Sequence, residues 1–73
     1  MKYYYDRLRE LRIDKDVTQA QIASILQVNQ EYYSKYELGK IPLPIKHLNT
    51  LCLYYGVSSD YILGLPNNLK WPR

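Results

Sequence analysis

Residues 17–39 read VTQAQIASILQVNQEYYSKYELG, and this stretch decides the fold. Thr18 follows an apolar residue and stands three positions before Gln21, which is the spacing of a capping box at the start of a helix. Asn29 repeats the arrangement, with an apolar residue before it and another four positions later. Gly39 is suited to the left-handed backbone that ends many helices. The stretch therefore predicts two short helices on a tight connection, over about 19–26 and 30–37.

The flanking sequence predicts three further helices. Apolar residues that begin at Tyr4 and recur on one helical face predict a first helix over about 3–14. Pro44 is suited to open a fourth helix that ends near Gly56. Ser58 is suited to cap a short fifth helix, over about 59–63. The apolar residues expected to face the core from the fourth helix are Ile45, Leu48, Leu51, Cys52 and Tyr55.

No run of the sequence alternates as a strand would, so we predict an all-α, compact five-helix domain over residues 1–64, followed by a tail over residues 65–73. The chain holds nine tyrosines and no phenylalanine. We assign five of the tyrosines to the core, with hydroxyls that reach a partner or the surface because an unpaired buried hydroxyl is costly. They are Tyr4, Tyr33, Tyr36, Tyr55 and Tyr61.

Size and composition exclude several classes of protein. A chain of 73 residues has room for one small core and no separate sensor domain. Its net charge of +3 favours an anionic partner without forming a basic tail. A single cysteine allows neither a disulfide within the monomer nor a thiolate zinc site, and no window approaches the length of a membrane span. We predict a cytoplasmic protein that uses no metal, no cofactor and no membrane.

Three segments of the chain resemble the phage repressor and Cro family of helix-turn-helix proteins. They are residues 17–23, VTQAQIA, residues 28–30, VNQ, and residues 36–40, YELGK. Residues 54–64, YYGVSSDYILG, are similar to the final helices of that family. The resemblance implies a lambda-repressor-like DNA-binding fold with the helix-turn-helix at helices two and three. It also implies a small bacterial or phage transcriptional regulator, acting as a repressor, whose third helix enters the major groove of double-stranded DNA.

The sequence departs from that family at two places. The family often has glycine where this chain has Asp16 and Gln27, just before helices two and three. If the backbone there is left-handed, a side chain adds about 1–2 kcal/mol of strain, and less for aspartate. Pro42 and Pro44 are also shifted from the commonest spacing in the family, which affects how the loop after helix three meets a DNA backbone.

The outward face of helix three is the predicted reading face. The apolar pattern turns Tyr33 toward the core, and with it the side of the helix on which it lies. The opposite side carries four polar residues that we expect to contact bases, namely Gln30, Glu31, Ser34 and Lys35. The resemblance also implies base reading by Gln30, Glu31 and Lys35. Glutamine pairs with adenine, lysine reaches guanine and glutamate accepts from cytosine.

Three of these side chains have a simpler alternative role. Glu31 lies in the first turn of its helix, where any carboxylate is favoured by the helix dipole. An alternative for Lys35 is contact with a phosphate alone, and an alternative for Gln30 is a surface position without a role. Both readings stay open at the level of the sequence.

Contacts to the DNA backbone are expected from polar side chains around the same face. The resemblance implies Gln19 as the family's usual backbone contact, and Lys40, with the amides after Gly39, is the second candidate. The full expected set is Gln19, Asn29, Tyr32, Lys40 and Lys46. Lys46 and its neighbour His47 have a solvated helix face as their alternative. The resemblance further implies a structural ion pair between Arg12 and Glu37, from helix one to the end of helix three.

Catalysis is not expected. The chain has one histidine and one cysteine, His47 and Cys52, and they point about 140° apart on the fourth helix. A domain of this size contacts only half an operator, so we predict a homodimer on a pseudopalindromic site, with the apolar tail residues Leu65, Leu69 and Trp71 available for the dimer. Two alternatives remain, an antitoxin or protein-interaction module of the same fold and the DNA-binding domain of a longer regulator.

Overall fold

The computed structural model describes residues 2–66, and this part of the chain forms five helices and no strand. In chain order they are α1 (Tyr4–Asp14), α2 (Gln19–Leu26), α3 (Gln30–Glu37), α4 (Ile45–Tyr55) and α5 (Ser59–Leu63). The predicted all-α fold is confirmed, and α2, α3 and α5 have the predicted bounds. The tail residues Leu69 and Trp71 lie outside the described residues.

Three side-chain caps start the helices where the sequence predicts them. At α2 the hydroxyl of Thr18 accepts from the Gln21 amide at 3.1 Å, and the Gln21 side chain accepts from the Thr18 amide at 2.7 Å. At α3 the side chain of Asn29 accepts from the Tyr32 amide at 2.7 Å. At α5 the Ser58 hydroxyl accepts from the third residue of the helix, Tyr61, at 3.2 Å. Each cap satisfies a backbone donor that the helix itself leaves free, and so fixes the register of the chain.

The turn between α2 and α3 depends on a left-handed residue. Gln27 ends α2 with φ +60°, and Asp16 before α2 has φ +58°. The left-handed Gln27 lets the Val28 amide donate back to the Ala23 carbonyl at 3.0 Å, which turns the chain sharply into α3. The departures from glycine at these two positions therefore leave the turn geometry in place, at the cost of backbone strain.

The core is built around α3, which packs against both α1 and α2. α5 closes the assembly by packing against α1 and α4. Leu8 of α1 and Tyr33 of α3 are both fully buried. The remaining buried apolar residues are Ile22, Ala23, Leu26, Tyr36, Leu51, Tyr55 and Ile62.

Two residues assigned to the core lie at the surface. Tyr61 is 49% exposed, because Ile62 takes the inward position of the short α5, and the guanidinium of Arg7 lies 5.9 Å from the centre of the Tyr61 ring. Ile45 is 82% exposed, because it is the first residue of α4 and Pro44 before it serves as the N-cap. Helical spacing correctly places Leu51 and Tyr55 in the core, but it does not hold for the first residue of α4, which lies at the exposed end of the helix.

The expectation that core tyrosine hydroxyls reach a partner holds for Tyr4 and is wrong for Tyr33 and Tyr55. The Tyr4 hydroxyl accepts from the Leu43 amide at 3.2 Å and ties the loop after α3 to α1. The hydroxyls of Tyr33 and Tyr55 are buried without a partner in hydrogen-bonding geometry among the described residues. Burial raises the pKa of both phenols, and the nearby carboxylate of Glu37 raises them further. Both side chains therefore contribute to the core through the packing of their rings and not through their hydroxyls.

Candidate nucleic-acid interface

An open groove runs between the N-terminal end of α2 and the outward face of α3. Its walls are formed by Gln19, Asn29, Gln30, Glu31, Ser34, Lys35, Leu38 and Lys40. The structure thus brings together all four residues expected to contact bases and three of those expected to contact the DNA backbone. Leu38 is the one lining residue to which the sequence analysis gave no role.

The predicted reading face of α3 begins at a capped helix end and continues along two turns. The Asn29 cap fixes the first turn, so that Gln30 and Glu31 project from the start of the helix. Ser34 and Lys35 follow one turn later, and the Lys35 ammonium lies 6.0 Å from the ring centre of Tyr32. Glu31 occupies the first turn and Lys35 the last, which is the favourable arrangement of charge along a helix dipole. The groove therefore offers donors and acceptors along one exposed line.

A buried ion pair positions this face relative to the rest of the fold. Glu37 at the end of α3 accepts from Nε of Arg12 at 2.7 Å and from Nη2 at 3.2 Å. Arg12 also donates to the Val17 carbonyl at 3.0 Å, which attaches the chain before α2. The hydrogen bond to Glu37 raises the pKa of Arg12. The pair ties α1, the start of α2 and α3 into one unit.

The same carboxylate orients Gln19. The amide nitrogen Nε2 of Gln19 donates to Oε1 of Glu37 at 3.1 Å, so the side chain lies half-buried across the mouth of the groove. A glutamine amide has two N–H donors, and one remains for a ligand. Gln19 is thus presented in a fixed orientation by a residue of α3.

Lys46, Tyr32 and His47 lie outside the groove lining. Lys46 belongs to a second, smaller cleft between the end of α2 and the start of α4. Tyr32 is exposed and packs edge-on against Tyr36. The alternative reading of His47 as a solvated face is wrong, because its ring is buried with its centre 5.9 Å from that of Tyr36. Burial, and next the charge of Lys46, lower the pKa of His47.

One positioning contact was missed by the sequence analysis. Gly39, with φ +72°, lies directly under the ring of Tyr5, and a Cβ on Gly39 would be 2.5 Å from the nearest ring carbon. The Tyr5 ring is itself stacked on Tyr3 with centres 5.2 Å apart and meets Tyr4 edge-on. The row of three tyrosines at the start of α1 is visible in the sequence, but its contact with a glycine 34 positions away is not. This contact fixes the turn that carries Lys40.

No metal site or membrane span is found within residues 2–66. No group of three or more histidine, cysteine, aspartate and glutamate side chains could hold a metal ion there. No helix of that part of the chain is long and apolar enough to cross a membrane.

Comparisons with known proteins agree with this geometry. The profile of a family described as a helix-turn-helix domain matches residues 5–68. The SPbeta prophage-derived uncharacterized HTH-type transcriptional regulator YonR of Bacillus subtilis is 36% identical over 58 residues, which are 80% of this chain and 54% of YonR. The uncharacterized HTH-type transcriptional regulator YobD of the same organism is 37% identical over 65 residues, which are 89% of this chain and 58% of YobD.

A solved structure has the same fold. The crystal structure of a transcriptional regulator from Listeria innocua superposes with a TM-score of 0.82 at 24% identity, over 92% of this chain and 63% of that one. The chain spans little more than half the length of the curated relatives it matches. It belongs to the helix-turn-helix domain family, in agreement with its resemblance to phage repressor and Cro proteins.

Proposed function

We propose that the protein binds double-stranded DNA in a sequence-specific manner as a transcriptional regulator, with α3 in the major groove. The observation that carries the proposal is the groove, whose walls bring the exposed polar face of α3 together with the start of α2. An α-helix with its side chains is about 10–12 Å in diameter, so α3 fits a major groove about 12 Å wide. The relatives' names as transcriptional regulators support the same function.

The proposed base contacts are made by the four polar residues of the reading face. Gln30 and Glu31 project from the first turn, the part of a recognition helix that reaches deepest. Ser34 and Lys35 extend the contacts one turn along. The chemistry suits an adenine for Gln30, a cytosine for Glu31 and a guanine for Lys35.

The proposed backbone contacts flank these residues. Gln19 and Asn29 lie at the N-terminal ends of α2 and α3, where the helix dipole favours a phosphate, and Lys40 adds a positive charge on the other side. Tyr32 and Lys46 are proposed to extend the track beyond the groove, because both side chains are exposed and Lys46 adds a positive charge. Such contacts set affinity and register without reading bases.

We further propose that the protein acts as a homodimer on a pseudopalindromic operator. A single α3 reads one half-site, and two copies would place their reading faces about 34 Å apart, one turn of DNA. Residues 1–64 would form the DNA-binding domain and residues 65–73 would contribute to the dimer. Leu65 is exposed, as that role requires. The output we propose is repression by occupancy of the operator, without catalysis, in the bacterial cytoplasm.

A protein-interaction role is the second candidate. Ile45 and Leu53 on α4 are 82% and 77% exposed, and neither belongs to the groove. Exposed apolar side chains outside the reading face favour a partner protein, as in an antitoxin, or contact with the remainder of a longer regulator.

A selection from randomised double-stranded oligonucleotides at stated salt tests the proposal. We expect enrichment of one half-site sequence by the wild type, and loss of that enrichment in Gln30→Ala and Lys35→Ala. Lys15→Ala is the matched control, because it removes the same charge from the end of α1, outside the groove. A folded protein that enriches no sequence would favour the protein-interaction role.

A further inference from the structure

Leu38 is the one apolar side chain in the lining of the groove. It is 59% exposed, although it follows directly after the buried Glu37. Every other lining residue carries a hydrogen-bonding group that can find water or DNA. A single exposed leucine is ordinary on a protein surface, so its place within the groove is what matters here.

The backbone fixes Leu38 in line with the reading face. Its amide donates to the Ser34 carbonyl at 3.0 Å, and its φ and ψ of −87° and −4° keep it in the helical region. At 100° per residue, Leu38 therefore lies about 80° around the helix from Gln30, between Ser34 at about 40° and Glu31 at about 100°. The side chain occupies the middle of the face, one turn beyond Ser34.

Backbone hydrogen bonds hold the turn after Leu38, and they fix the position of Leu38. Gly39 donates to the Tyr36 carbonyl at 3.1 Å, and the Lys40 amide donates to the Lys35 carbonyl at 2.9 Å. The ring of Tyr5 packs on Gly39. Leu38 is consequently presented from a rigid base, as a specificity contact requires.

We propose that Leu38 is a specificity-determining residue that packs against the 5-methyl group of a thymine. The thymine methyl is the only apolar group that base edges present in the major groove, and a leucine cannot use any of the hydrogen-bonding positions. The inference rests on the proposed DNA binding, and it adds to the half-site a thymine beyond the bases that Gln30 and Glu31 read. Packing on deoxyribose carbons is the competing contact, and it carries no sequence preference.

Replacement of single thymines by deoxyuridine tests this directly, because it removes the methyl group and keeps the base pairing. The probe is the duplex enriched by the wild type, with one thymine of one half-site replaced at a time, and the measurement is the dissociation constant at fixed salt. We expect one replacement to weaken wild-type binding about fourfold, the loss that corresponds to one buried methyl group. Leu38→Ala should bind the parent duplex more weakly and be indifferent to that replacement.

Leu53→Ala is the matched control, since it truncates a leucine that is 77% exposed on α4 and should keep the wild-type response. Thermal melts of all variants check that they are folded. The inference is overturned if Leu38→Ala weakens binding to the thymine and deoxyuridine duplexes equally, which is the result expected for sugar packing. It is also overturned if no replacement affects the wild type. Failure of DNA binding itself is separately visible, as the absence of any enriched duplex, and the inference falls with it.

Discussion

Glu37 and Arg12 are 25 positions apart in the chain and form a two-point ion pair, with the carboxylate of α3 almost fully buried and the guanidinium of α1 partly so. The carboxylate also holds the amide of Gln19. One buried side chain thus sets both the orientation of α3, the proposed recognition helix, and the orientation of a proposed phosphate contact. The main contribution of the ion pair is to fix this geometry, because desolvation of the two charges offsets much of their attraction.

Replacement Glu37→Gln should lower the free energy of unfolding by about 2–3 kcal/mol, because it leaves Arg12 without its counter-charge in a partly dry site. Urea unfolding at pH 7 measures the change. Glu10→Gln is the control, since Glu10 pairs with Lys2 at the surface and its loss should cost at most about 1 kcal/mol. An unfolding midpoint of Glu37→Gln equal to that of the wild type would show that the pair has no structural role.

Gly39→Ala should destabilise the protein more than Gly56→Ala does. Both glycines have a positive φ near 70°, so both substitutions carry similar backbone strain. At Gly39 the new Cβ also meets the Tyr5 ring, whereas at Gly56 it meets nothing within 4 Å. The ring must swing aside to make room for the Cβ, so we expect an additional cost of about 0.5–1.5 kcal/mol at Gly39, measured by thermal or urea unfolding.

A double variant isolates the ring contact. In a Tyr5→Ala background, Gly39→Ala should cost no more than Gly56→Ala, because the clash is gone and only the strain remains. An undiminished cost in that background would mean that Tyr5 does not hold the turn.

Gln27→Gly should stabilise the protein by about 0.5–1 kcal/mol. The left-handed backbone at Gln27 strains any side chain, and this gain is only partly offset by the greater chain entropy of glycine in the unfolded state. Asp16→Gly should gain less, because aspartate tolerates the left-handed region better. The midpoint of thermal unfolding is the measurement, and a lower midpoint for Gln27→Gly would contradict the assigned strain.

The stability of the protein should fall as the pH is lowered from 7.5 to 5.5, in part through His47. Burial lowers the pKa of His47 in the folded state, so the unfolded chain takes up a proton first as the pH falls below the ordinary histidine value. The ring of Tyr36 packs against the imidazole, and the positive charge of Lys46 lowers the pKa of His47 in the same direction as burial does. His47→Gln should show a smaller loss between the two pH values in urea unfolding. An equal loss in both proteins would place the pH dependence elsewhere.

The parts of this fold that could be predicted are those that local chemistry decides. Thr18, Asn29 and Ser58 cap helices through bonds to residues three positions away, so their sequence context is sufficient. Contacts between distant segments could not be read in this way. The Tyr5 ring over Gly39 and the exposure of Tyr61 both depend on how α1 packs against α3 and α5. The burial of His47 depends likewise on α3.

The residues of the candidate site also divide into those that local sequence predicts and those that it does not. Periodicity separates the inward from the outward residues of α3, so Gln30, Glu31, Ser34 and Lys35 could be assigned to one face. Leu38 was overlooked because it lies next to the glycine that ends the helix, and its helical backbone becomes evident only from its bond to Ser34. From the sequence alone, a leucine is expected in the core. Only the structure shows that Leu38 is exposed among the polar residues of the groove.

The most direct test of the central claim is an NMR titration of the labelled protein with the enriched duplex. If α3 enters the major groove and α2 contacts the backbone, the largest amide shift changes should fall at residues 18–20, 29–35 and 38–40, and the amides of Leu53 and Tyr61 should change little. Changes centred on α4 and α5, with residues 29–35 unaffected, would contradict the assignment of α3 as the recognition helix.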